Sequence, residues 1–75
     1  MTDLKKAIIY YYYAKEENEM FQAVGTESEK QRAERALDNI EMRLEELTYA
    51  ENRKQAVRIA SKETGINSKN YMEVE

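Results

Sequence analysis

The sequence contains no cysteine, no histidine and no proline, and only two glycines among its 75 residues. Without cysteine there is no disulfide framework and no thiolate metal site. Without histidine the commonest general base and the commonest metal ligand are also missing. Those two omissions exclude most enzyme chemistry: Ser28, Ser61 and Ser68 have no imidazole to activate them. Neither glycine belongs to a phosphate-cradling loop. Long apolar runs are lacking too. The stretch from Ala7 to Ala14 is continuous but short and carries four tyrosines, whereas a bilayer span needs about 20 residues and a signal peptide needs a small-residue cleavage site after its core. The expected location is the cytoplasm, with no membrane partner.

What is present suits one small amphipathic domain. Hydrophobic residues make up 41% and charged residues 36% of the chain, too much apolar material for a disordered tail. At 8.9 kDa the fold hides only about 60 to 65% of the unfolded surface. Twelve basic and fifteen acidic residues give a net charge of -3, so the whole chain offers no case for a polyanionic partner. The distribution is less even. Between Arg53 and Lys69 lie Arg53, Lys54, Arg58, Lys62 and Lys69 against the single acid Glu63.

The pattern is helical. Thr2 or Asp3 can cap a first helix over 4–24, in which Leu4, Ala7, Ile8, Tyr11, Ala14, Asn18 and Phe21 share one side. The tyrosine run is rich in strand formers, but it lacks polar alternation and has no second run to pair with. Gly25 is expected to close this helix in a left-handed conformation, with Thr26/Glu29 or Ser28/Gln31 as the capping box of the next. A second helix is then expected over about 29–64, with Ala33, Ala36, Leu37, Ile40, Leu44 and Leu47 as its stripe and Gly65 as its stop. Two helices joined by a short turn pack antiparallel. The expected fold is therefore all-α, a single domain built as a two-helix hairpin with a long second helix and a C-terminal segment over 66–75 that is a short helix or a tail. A break near Glu51 and Asn52, with Asn52 as cap, is the alternative for the second helix.

Such a hairpin leaves surface uncovered. Successive helical side chains turn by about 100°, so Tyr10 to Tyr13 sweep about 300° and one neighbour cannot cover all four rings. With Tyr11 inward, Tyr13 falls on the far side with Ile9, Met20 and Val24, a second apolar stripe. Helices of about 32 and 54 Å would also leave an overhang, and beyond it Tyr49, Ala56 and Ala60 form a face rotated away from the first stripe. Its partner is a second copy of the chain or residues 66–75 folded back. Asn18 sits in the seam, either fixing register or lying at a loose, wet point.

Glu41 and Glu45 share a helix face, the spacing that carboxylate metal sites use, but no histidine completes such a set, and a solvated acidic face is expected. The segment Ile59 to Tyr71 resembles the middle of a bacterial helix-turn-helix, with small Ser61 four before the turn glycine Gly65, then Ile66, then Tyr71 in a second helix. That resemblance implies DNA contacts from Arg53, Lys54, Arg58, Lys62, Asn67, Ser68, Lys69 and Asn70. A glycine-capped helix end with Ile66 folding back accounts for the same letters. The reading that the sequence favours is a non-enzymatic helical interaction module, without cofactor or metal. It would associate with itself and with another protein through Ile9, Tyr13, Met20, Val24, Tyr49, Ala56 and Ala60, as a regulator, inhibitor or assembly factor. A small DNA-binding regulator is the alternative.

Overall fold

The computed structural model describes residues 2–74, and every element in it is helical. Helix α1 runs Asp3–Val24, α2 Glu27–Thr48 and α3 Arg53–Thr64, followed by a single 3₁₀ turn at Tyr71–Glu73. The molecule measures 36 × 28 × 17 Å. Among the described residues no helix is long and apolar enough to cross a membrane.

Each boundary has a local cause. The Thr2 hydroxyl accepts from the Lys5 amide at 3.2 Å, and Asp3 lies in the first turn where the helix dipole favours a negative charge. At the other end the Gly25 amide donates to the Phe21 carbonyl at 2.7 Å. Gly25 is extended (φ -85°) rather than left-handed as expected. Glycine is needed there for space instead, because a Cβ would come within 2.6 Å of the Phe21 oxygen. Thr26 and Glu29 then form the capping box reciprocally, at 3.0 and 3.2 Å.

The long second helix is not continuous. It stops at Thr48, Tyr49 takes a left-handed conformation (φ 57°), and the Asn52 side chain caps α3 by accepting from the Gln55 amide at 2.9 Å. The physical reason is burial. Held straight, the second helix would leave Ala56, Ala60, Ile66 and Tyr71 without a partner. Folded back, all four are buried, at 0, 0, 2 and 6% exposure. Ala56 and Ala60 therefore belong to the intrachain core rather than to a partner face. Their small side chains let α3 lie close against the hairpin.

The core collects Ala7, Ile8 and Tyr11 from α1, Leu44 from α2, Ala56 and Ala60 from α3, then Ile66 and Tyr71. Leu4, Leu37, Ile40, Leu47 and Val57 pack around it. Gly65 closes α3 in the left-handed conformation (φ 74°), its amide donating to the Ser61 carbonyl, and the chain then returns across α1. Residues 66–74 thus form a strap, not a tail. The hairpin's turn end is polar: Gln22 Nε2 donates to Asn18 Oδ1 and to Glu34 Oε1, both at 3.1 Å. Asn18 sits half-buried in that wet network, the loose-point alternative.

Candidate functional site

The four consecutive tyrosines are dealt to four environments, as the rotation per residue requires. Tyr11 points inward at 9% exposure. Tyr12 stacks on Tyr71 with ring centroids 5.4 Å apart, and its hydroxyl shares a 2.7 Å hydrogen bond with Ser61 Oγ. Tyr13 meets the same Tyr71 ring edge-on at 5.0 Å, while the Tyr71 hydroxyl donates to the Glu16 carboxylate. Among the described residues Tyr10 has no aromatic partner, and it stands 67% exposed.

Tyr10 is a ridge between two open hollows. One is lined by Ala14, Ala36, Asn39 and Ile40 at the α1–α2 seam and has almost wholly apolar walls. The other is lined by Lys6, Ile9, Tyr13 and Val74, where the strap ends on α1. Tyr10 lines both, so they form one continuous face. Ala36 and Ile40 belong to the expected α2 stripe; Ile40 stays in the row of Ala33, Leu37 and Leu44 and packs against the core, whereas Ala36 lies on its shoulder. Leu44 and Ala33 are buried while Ala36 is exposed.

The expected interface residues are divided by the fold. Ile9 and Tyr13 meet in the second hollow. Met20 (52% exposed) and Val24 (81%) lie nearer the turn end of α1 and line neither hollow. Tyr49, at 93% exposure, stands alone at the α2–α3 corner. Periodicity along α1 could find Ile9 and Tyr13. Tyr10, Ala14, Ala36 and Val74 come together only through the hairpin crossing and the returning strap.

The expected DNA contacts are also rearranged. Among the described residues no helix follows Gly65 beyond the 3₁₀ turn of three residues. Asn67 Oδ1 accepts from the Lys69 and Asn70 amides, and Asn70 Nδ2 donates to the Gly65 carbonyl, so both side chains shape the turn. Arg53 faces α2, where its guanidinium pairs with Asp38, with Glu45 at 3.2 Å and with Glu41 at 3.7 Å. The hydrogen bond that Arg53 donates to Asp38 is the main cause that holds the Arg53 pKa above its ordinary value. Partial burial, reinforced by Asp38 and Glu45, pushes the Glu41 carboxyl up despite Arg53. Lys54, Arg58, Lys62, Ser68 and Lys69 remain exposed.

Among the described residues no group of three or more acidic side chains could hold a metal ion. The acidic trio on α2 is instead turned on Arg53. Two exposed surfaces stand out: the face centred on Tyr10 and a cationic row on α3. No family model, no curated protein and no solved structure matches the chain.

Proposed function

We propose that this chain is a non-enzymatic helical interaction module that pairs with a second copy of itself through the Tyr10 face, and that the pair serves as a regulator, inhibitor or assembly factor for another protein. The carrying observation is the placement of an exposed ring directly between two hollows. A two-fold axis makes a contact self-complementary, so a ridge and a hollow side by side on one face can each receive the other. Tyr10 of one copy would enter the hollow beside Ala14 and Ala36 of the other, where two small side chains leave room.

Surface area supports a second copy. The accessible surface is 5422 Å², against about 4,800 Å² for a typical monomer of 8.9 kDa. The excess of about 600 Å² approaches the roughly 800 Å² that each partner buries in a standard interface. Sedimentation equilibrium across micromolar concentrations should give a mass that rises toward twice 8.9 kDa. A mass that stays at the single-chain value throughout would refute the pairing.

A further inference from the structure

Helix α3 carries a second surface, independent of the Tyr10 face. Lys54, Arg58 and Lys62 recur every four residues, and all three are exposed. Ala56 and Ala60, both fully buried, mark the opposite side of the same helix. Four residues rise about 6 Å and turn about 40°, so the three cations form one inclined row that rises about 12 Å along the helix. Caps at Asn52 and Gly65 fix both ends of the helix, and the buried alanines fix its position. Among the described residues none of the three cations pairs with a carboxylate, in contrast to Arg53, which faces α2 and takes three.

Lys54 makes the row unusual. The first turn of α3 holds no acidic residue, and a cation there opposes the positive end of the helix dipole. Arg53 is compensated across the helix pair; among the described residues Lys54 has no such ion pair. Lys54 also lines a polar hollow with Asn52, Gln55 and Arg58, to which no carboxylate contributes.

We propose that Lys54, Arg58 and Lys62 form a docking ridge for an acidic helix of a second protein, one that presents carboxylates four residues apart. Such a helix carries a row of the same inclination, so that crossing α3 at about 50° it sets one carboxylate against each cation. The spacing supplies register, and the charges supply steering. Nucleic acid fits less well. Three cations neutralise three phosphates at most, giving a salt slope of about -2.7. Among the described residues only a 3₁₀ turn of three residues follows Gly65, too short to enter a groove.

The test uses two fluorescent alanine-rich peptides with three glutamates each, spaced by four residues in one and by two in the other, titrated with the full chain at low salt. The four-spaced peptide should bind about tenfold tighter, and the preference should vanish in Lys54→Glu/Arg58→Glu. Lys5→Glu/Arg35→Glu makes the same change in net charge elsewhere and should keep it. Circular dichroism monitors the fold, and Lys54→Glu alone should not lower the melting temperature, because it removes the conflict with the dipole. Equal binding of the two peptides, no binding of either, or equal losses in both double variants would overturn the proposal. Tighter binding of a duplex oligonucleotide than of the four-spaced peptide would reassign the ridge to phosphate. The pairing through Tyr10 can fail without touching any of these outcomes.

Discussion

Tyr49 adopts φ 57° with its ring 93% exposed, so the side chain gains almost no packing from a backbone conformation that disfavours it. A bulky residue in the left-handed region costs about 1 to 2 kcal/mol, a penalty glycine escapes. Tyr49→Gly should therefore stabilise the chain by roughly 0.5 to 1 kcal/mol, read as the midpoint shift in urea unfolding. A loss of stability would mean that the exposed ring contributes contacts in solution. Tyr71 poses a different question. Its hydroxyl donates to the Glu16 carboxylate, which raises its pKa from 10.0 to about 12. A raised folded pKa means that the contribution is complete below pH 10 and is lost as pH climbs toward about 12. The melting-temperature gap between the wild type and Tyr71→Phe should hold steady at neutral pH and close over that alkaline window. Tyr11, also shifted upward by burial, is present in both proteins and cancels in the difference. A gap that stays constant through the window would remove Glu16 as the cause.

The helices show where periodicity informs and where it stops. The bounds of α1 and the capping box of α2 could be read from letters, because both depend on neighbours within four residues. The change of face after Leu47 was equally legible, since Ala56 and Ala60 leave the stripe of Leu37 and Leu44. What covers the new face was not legible, because periodicity reports which side is apolar and not which chain lies on it. Asn52 was one capping candidate in a polar stretch, and the preference for folding back depends on Ile66 and Tyr71, whose burial is a tertiary event. The Tyr10 face was half legible for the same reason: Ile9 and Tyr13 share a stripe, whereas Ala36 and Val74 arrive from other elements. Close approach of α3 yields a direct test. Ala60 is fully buried, so a larger side chain must displace its neighbours. Ala60→Leu should cost about 1 to 3 kcal/mol through overpacking. A thermal melt in which this variant matches or exceeds the wild type would mean that α3 lies away from the hairpin.

For the whole molecule the deciding contrast is between two adjacent tyrosines, because Tyr10 and Tyr11 share residue type and local helix but one is exposed and the other buried. Tyr11 is in the core at 9% exposure, beside Ile8 and Leu44. Truncating it to alanine should cost roughly 3 kcal/mol whatever the oligomeric state, since a large buried ring leaves a cavity. Tyr10 contributes little to its own chain at 67% exposure. Tyr10→Asp should leave the fold near wild type, yet it would place a charge at the centre of an apolar contact, where one substitution can remove much of an interface's binding energy. The expected result is a helical monomer of 8.9 kDa under conditions in which the wild type forms pairs. Tyr13→Asp is a poorer probe, because the Tyr13 ring packs edge-on against Tyr71 and the charge would loosen the strap as well. Tyr49→Asp, at the corner away from both hollows, is the exposed-tyrosine control and should pair normally. If Tyr10→Asp pairs as well as the wild type while Tyr49→Asp does not, the contact lies at the α2–α3 corner, and the two hollows beside Tyr10 are ordinary surface.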